Sequence, residues 1–438
     1  MERDIYKSLL NWKESGYRKP LILRGARQTG KTYILQEFGR REYRLYHYFN
    51  FEEDSRLASF FTGNLDTGRI IRELSLYHQR DIHKGEDLII FDEIQECNEA
   101  LNSLKYFNEH NNEFHIAAAG SLLGIRMSKP ASFPVGKVDF LDIYPMTFFE
   151  YLDAVGQSPY RIYLETLDKI EPLPEAFHNE LISLLKKFYH VGGLPEAVSR
   201  YAADPDKGDY RIVQKAILDS YTLDFAKHAP PSDIPKLSLV WESLPAQLAR
   251  ENNKFLFSLI KSGARAREYE NAIIWLINAG LIHRSTLVTS PKIPLTAYRD
   301  ISSFKIFSCD IGLLGAMANV PAASVESDRS ILTEYQGAFV ENYVAQHLTA
   351  MNNEELHYWK NGGRAAELDF LIQHGSEILP VEVKAGKSIR SKSLIFYLSK
   401  YQPDLGIRFS LRNLKLNNHI LNIPLYALQS LEKFLPKL

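Results

Sequence analysis

Apolar residues fall in two patterns along this chain, short unbroken runs and stripes at helical spacing, and the two alternate through the first 155 residues. Leu21-Ile22-Leu23 is a run that stops at Arg24-Gly25, and Tyr33-Ile34-Leu35-Gln36-Glu37-Phe38 behind it has the spacing of an amphipathic helix. The aromatic-rich residues 45–51 predict a second strand, closed by the acidic Glu52-Glu53-Asp54. Residues 70–76 read as a helix, 87–91 as a continuous apolar run ending in Asp92-Glu93, and 114–119 as a further run ending in Gly120-Ser121. Unbroken apolar strands between helical stripes predict a parallel sheet buried on both faces, an α/β domain over residues 1–155.

Beyond it the spacing lengthens. Residues 181–189 read as a helix, His190-Val191-Gly192-Gly193 as its stop and Pro195 as the start of the next, which makes 156–230 a helical region ending in the linker Ala229-Pro230-Pro231-Ser232-Asp233. Residues 236–250, 255–260 and 265–279 predict three helices, and 281–285 and 293–307 two extended segments. That order, over 231–325, is similar to a winged helix, whose third helix could enter a major groove or serve for docking; Lys261, Arg265 and Arg267 lie near it. The last region, 326–438, opens on a helical stripe at 339, 340, 343, 344 and 348, then a strand at 356–359 and a hairpin, 367–372 and 378–384, folded about His374-Gly375.

Composition changes this picture little. With 45% hydrophobic and 24% charged residues the chain is an ordinary globular one, and its formal net charge of -1 confines any nucleic-acid surface to a local patch. Two cysteines cannot build a disulfide framework, charges at Glu2, Arg3 and Asp4 argue against a signal peptide, and no apolar run spans a membrane. The expectation is a cytoplasmic protein with no membrane partner.

Candidate chemistry is concentrated after the first run, in Gly25-Ala26-Arg27-Gln28-Thr29-Gly30-Lys31-Thr32. Two glycines bracketing four residues, followed by Lys-Thr between a strand and a helix, is the spacing of a phosphate-binding loop. Backbone N–H groups would wrap the phosphates, Lys31 would reach the β/γ-phosphates and Thr32 would hold Mg2+ through its hydroxyl. Asp92, at the end of a buried strand, is placed to bind Mg2+ through water and Glu93 to orient and deprotonate the attacking water. Ser121 could sense the γ-phosphate or cap a following helix, and Gln95 could couple the site to a neighbour.

These motifs, with Ala117-Ala118-Ala119-Gly120-Ser121 and residues 143–151, resemble the AAA-type P-loop ATPases of bacteria and archaea, and more narrowly the group carrying a C-terminal domain of unknown function with a nuclease-like core. The resemblance implies ATP as the nucleotide, with Mg2+. Gly193-Leu194-Pro195 is similar to the glycine-x-proline element by which a helical lid closes on nucleotide in related ATPases. Arg126, Arg200 and Arg211 are available as the arginine such enzymes bring to the γ-phosphate, with none assigned.

In the last region Glu382 and Lys384 share a strand face, and the hairpin brings Asp369 to a diagonal neighbour of Glu382 unless Pro380 bulges the register. Asp369 and Glu382 could bind Mg2+ or Mn2+, Glu341 on the preceding helix could complete the cluster, and Lys384 could position water or stabilise a phosphorane-like transition state. The order Glu on a helix, Asp, Glu-x-Lys resembles the restriction-endonuclease-like nucleases; an ion-pair network on a retained scaffold is the alternative. Asn361-Gly362-Gly363-Arg364 could add a phosphate contact. The sequence thus leads to an Mg2+-dependent ATPase whose nucleotide state repositions a helical lid and winged-helix region against a nuclease-like domain acting on DNA. The alternative is an ATP-switched module with an inactive nuclease-like domain that binds a protein partner or self-associates.

Overall fold

The computed structural model describes residues 1–121, 134–249, 254–321, 332–352, 355–362, 366–386 and 390–435 of the 438-residue chain. It divides into two compact units, Met1–Tyr144 with Asn278–Gly280, and Pro145–Ile277 with Leu281–Leu438.

The first unit is a five-stranded, wholly parallel sheet in the order β2-β3-β4-β1-β5, with β1 Leu21–Gly25, β2 Leu45–Asn50, β3 Asp87–Asp92, β4 His115–Ser121 and β5 Asp139–Asp142. The alternation of side chains along each strand divides its residues between two faces. Leu21, Leu23, Leu88, Ile90, Ala117 and Ala119 meet helices α1 (Ile5–Glu14) and α2 (Lys31–Glu42) through Leu9, Trp12, Ile34, Leu35 and Phe38. Ile22, Ile89, Phe91, Ile116 and Ala118 meet α3 (Thr67–His78) and α4 (Asn98–His110) through Ile70, Leu74, Leu101, Leu104 and Phe107. The unbroken apolar runs of the sequence are therefore strands covered on both sides. Buried apolar area of this kind stabilises by roughly 25 cal/mol per Å2.

The second unit begins with α5 (Phe148–Ala154), which Thr147 caps through a reciprocal bond with Glu150. Phe148 and Tyr151 of α5 pack edge-on against Phe188 of α7 (Glu175–Val191), with ring centroids 5.8 and 5.2 Å apart, so the division falls after Tyr144 and not at 155. The helices α6 (Ser158–Glu165), α8 (Pro195–Ala203) and α9 (Tyr210–His228) complete the helical region. The stretch expected to be a three-helix winged helix is different. α10 (Ile234–Leu248) and α11 (Ala266–Asn278) form, but among the described residues between them only Phe257–Leu259 is helical, as a single 3-10 turn. Leu256 N–H bonds the Gln247 side chain and Phe255 N–H the Phe304 carbonyl, so the segment is held extended at its start.

The two strands that follow, β6 (Ile282–Val288) and β7 (Arg299–Ser308), do not stand as a separate wing. β6 pairs in parallel with β8 (Leu356–Lys360), joining an eight-stranded mixed sheet in the order β12-β13-β11-β10-β9-β8-β6-β7. β9 (Glu367–His374) and β10 (Glu377–Lys384) are the expected hairpin, followed by β11 (Gly406–Ser410), β12 (Lys415–Asn417) and β13 (Ile420–Pro424). The sheet thus runs across the 325/326 boundary expected from sequence. The short helix α12 (Ile311–Met317) follows β7, α13 (Leu332–Asn352) packs on β7 and β10, and α14 (Lys392–Tyr401) covers the other face through Leu394 and Tyr397 against Trp359, Leu368 and Leu371.

Candidate functional site

In the first unit, the loop after β1 delivers its chemistry to the C-terminal edge of the sheet, where open parallel sheets place their ligands. Gln28 and Gly30 both take left-handed backbone conformations, φ 67° and 90°, and Gly30 is the N-cap of α2 with no side chain bonded to the first-turn N–H groups. Gly25 is fixed for a separate reason: a Cβ there would lie 2.4 Å from the Ile143 carbonyl oxygen. Lys31 is buried and its Nζ lies 3.1 and 2.9 Å from the Gly25 and Ala26 carbonyl oxygens, while Thr29 Oγ1 donates to Ala26. Arg3, missed in the sequence, straps the loop from outside through the Thr29 and Tyr144 carbonyls.

Thr32 Oγ1 donates to Asp92 Oδ2 at 2.8 Å, across 60 residues of sequence. Asp92 is 2% exposed and also accepts from the Tyr48 hydroxyl at 2.7 Å and from the Glu93 N–H. Burial and the Asp92 carboxylate push the Tyr48 phenol well above its ordinary pKa, so Tyr48 remains a donor. Its signal in the sequence was only that of a strand aromatic. Glu93 sits at φ 49° and its carboxylate is held by Gln95 Nε2 at 2.6 Å, which gives Gln95 a partner within the site itself. Ser121 is registered opposite Gly25 on the neighbouring strand. The residues that would continue from it into a helix, and Arg126, lie outside those described. A half-buried hydroxyl bonded to a buried carboxylate beside a lysine and a glycine loop fits a nucleoside triphosphate with Mg2+.

In the second unit, β9 and β10 keep an unbroken antiparallel register from His374↔Glu377 through Leu371↔Pro380 to Phe370↔Val381. Pro380 introduces no bulge, and the pairing ends at Phe370↔Val381, one residue short of Asp369 and Glu382 on their strands. Asp369 accepts from the Val383 N–H at 2.7 Å, and Lys384 Nζ is 2.9 Å from Glu382 Oε1. Glu382 is 4% exposed and its Oε2 has no protein partner. Burial, then the charge of Glu341, raises Asp369 to about 7, against the opposing pull of Lys305.

Lys305, on β7, is the residue that sequence reasoning missed. It is 1% exposed, with Nζ 2.9 Å from both Glu341 Oε1 and Glu367 Oε1, and these carboxylates hold it charged despite burial. Glu367 was legible as the same-face neighbour of Asp369; Lys305 was not, since 36 residues separate it from Glu341. Among the described residues no group of three or more His, Cys, Asp or Glu side chains is arranged to hold a metal ion, and the Glu341 expected as a ligand is engaged with Lys305. Arg364 lies outside the described residues.

Two expectations resolve structurally. A Cβ at Gly193 would lie 2.1 Å from the Met146 carbonyl oxygen, and Gly193 N–H donates to the buried Asp310, so Gly193-Leu194-Pro195 is a packing junction within the second unit. Arg211 is spent on the Gly312 and Val320 carbonyls.

Residues 17–152 match the family model of the AAA domain. Most of the first unit is thus similar to the AAA domain, and its parallel sheet and glycine loop are those of a P-loop fold. Two further models match, each a domain of unknown function: DUF8612 over residues 182–324 and DUF4143 over 336–428. No curated protein matches the chain. Among solved structures, a Walker-type ATPase of Pyrococcus abyssi is 14% identical and aligns over 72% of this chain and 95% of its own at a TM-score of 0.45. The Aeropyrum pernix Orc1 protein in complex with DNA is 14% identical over 73% and 91%, at 0.30. AMPPCP-bound DnaA from Aquifex aeolicus is 14% identical over 62% and 84%, at 0.27. No described helix is long and apolar enough to cross a membrane.

Proposed function

We propose that the chain is an Mg2+-dependent ATPase whose nucleotide state governs a restriction-endonuclease-like second unit acting on DNA. The observation that carries the ATPase reading is the 2.8 Å contact of Thr32 with Asp92, which joins the loop to the acidic end of β3. Loop N–H groups would cradle the phosphates, and Lys31 would exchange its loop carbonyls for the β/γ-oxygens. Thr32 and Asp92 would hold Mg2+, which when bound supplies charge neutralisation of the triphosphate. Glu93, oriented by Gln95, would take the proton of the attacking water, and Ser121 would contact the γ-phosphate. The helices of 156–230 would serve as the lid.

For the second unit, the reading rests on Asp369 bonded to the Val383 N–H next to Glu382, on Lys384 paired with Glu382, and on the unpartnered Glu382 Oε2. Asp369 and Glu382 would hold Mg2+ or Mn2+, and Lys384 would stabilise charge on the scissile phosphate. A second reading is favoured by Lys305: its pairing with Glu341 and Glu367 is the ion-pair network of a scaffold, in an ATP-switched module that binds a protein or a second copy of itself. Cleavage of single-stranded, duplex and branched DNA with Mg2+ or Mn2+, with and without ATP, separates them. Cutting that disappears in Glu382→Ala supports the first reading; no cutting on any substrate with ATP hydrolysis intact supports the second.

A further inference from the structure

The end of β2 stands beside the acidic end of β3. Asn50 is registered with Asp92 and Tyr48 with Ile90, and residues opposite one another or two apart share a sheet face. Tyr48, Asn50 and Asp92 therefore project together on the side that α2 covers. Four side chains join there in one line of hydrogen bonds. Asn50 Nδ2 donates to Tyr48 Oη at 3.2 Å, the Tyr48 hydroxyl to Asp92 Oδ2 at 2.7 Å, and the same carboxylate oxygen accepts from Thr32 Oγ1 at 2.8 Å.

Chemistry fixes the direction of each bond. Asn50 Oδ1 accepts from the Glu52 and Glu53 N–H groups at 2.9 and 3.1 Å. A backbone N–H only donates, so the oxygen end of the amide belongs to the turn and its NH2 end to Tyr48. The Tyr48 oxygen, receiving that N–H, has its own proton left for another partner, and a charged carboxylate only accepts. The Tyr48 proton therefore lies on Asp92. Burial and Asp92 hold the phenol protonated, with the Asn50 amide pulling the other way. The backbone ties the turn to the same place, because Phe51 N–H donates to the Asp92 carbonyl at 3.1 Å and Asp54 N–H to the Asn50 carbonyl at 3.1 Å. Residues 50–54 and the carboxylate facing the phosphate loop are thus one hydrogen-bonded unit, and bonds joined in line strengthen one another.

We propose that Asn50 is a positioning residue of the nucleotide site: its amide holds the Tyr48 proton on Asp92, and so fixes the carboxylate that meets Mg2+. The inference rests on the reading of the first unit as an Mg2+-dependent nucleotide site, and adds to it a residue that lies in none of the site's motifs. It also makes the turn after β2 the element whose conformation sets the metal side of the site.

The test is titration of N-methylanthraniloyl-ATP into the full chain in Mg2+ and again in EDTA, read as the ratio of the two affinities. Asn50→Asp keeps an oxygen for the Glu52 and Glu53 N–H groups but has no donor for Tyr48, so it separates holding the turn from positioning the phenol. Its added charge repels the triphosphate in both media and largely cancels in the ratio. The ratio is expected to fall ~3- to 10-fold, the net contribution of one hydrogen bond. In a Tyr48→Phe background, where the line is already cut, Asn50→Asp should leave the ratio unchanged. A wild-type ratio in Asn50→Asp overturns the proposal, as does an equal fall with and without the Tyr48 hydroxyl. In either case wild-type binding that Lys31→Ala abolishes keeps the nucleotide reading. A wild type that binds no analogue in either medium removes that reading, and this proposal with it.

Discussion

At the scale of single residues, the nucleotide site separates groups that bind from a group that reacts. Lys31→Ala removes the cation aimed at the phosphates and is expected to abolish both ATP binding and hydrolysis. Glu93→Gln keeps the shape and the neighbouring Gln95 but not the base, so binding of a fluorescent ATP analogue should persist while kcat falls ~10^2- to 10^4-fold; equal loss of both would remove Glu93 from the chemistry. Tyr48→Phe deletes one of three donors to Asp92 and should weaken Mg2+-dependent binding more than Mg2+-free binding. Gly25 makes a steric prediction instead. Its Ala variant drives a methyl against the Ile143 backbone, which cannot yield as a flexible side chain can, and should cost about 1–3 kcal/mol in denaturant unfolding.

At the scale of elements, the junction around Asp310 ties the start of α12 to the end of α7. Asp310 caps α12 through the Leu313 N–H at 2.9 Å and accepts from Gly193 N–H at 2.6 Å, and it lies in full burial. Asp310→Ala therefore loses a helix cap, about 0.5–2 kcal/mol, and strands a buried N–H, about 1–3 kcal/mol. The measured destabilisation should exceed that of an ordinary exposed cap, and an effect below 1 kcal/mol would mean that the junction relaxes or takes in water. The same geometry explains why two adjacent glycines follow α7. Gly192 takes φ 73° with Asp310 against it, and Gly193 admits the Met146 backbone.

At the scale of the whole molecule, both units should lose stability in acid, with two buried aspartates of the second acting against the loss. In the first, burial lowers His47, His78 and His115, the last to about 4, and Asp87 is held low against its burial by the His83 N–H, His47 and Arg44. A histidine buried neutral has its folded pKa below its unfolded one, so the unfolded state takes up more protons as pH falls below 6.5 and stability is lost; a depressed aspartate adds to the loss further down. In the second unit His190, His283 and His347, lowered to about 4 by burial, and His178 and His357, also lowered by burial, act in the same direction. Asp310 at about 6 and Asp369 at about 7 act in the other, because their folded forms hold protons that the unfolded chain has released. Calorimetry should give transition temperatures that fall between pH 7 and 4, and Asp310→Asn, which removes one opposing contribution, should make that fall steeper. A fall left unchanged by the substitution would contradict the assignment.

The sequence by itself determined what local pattern can carry: the strand, glycine loop and helix of the phosphate site, the buried run leading to Asp92-Glu93, and the hairpin bearing Asp369, Glu382 and Lys384. Each is encoded within a few residues, by periodicity or by spacing along one backbone. Tertiary structure decided which distant groups meet. Tyr48 on Asp92, Lys305 between Glu341 and Glu367, and the incorporation of β6 and β7 into the larger sheet all follow from strand order, and strand order is set by how whole faces bury one another. No spacing along the chain records that choice.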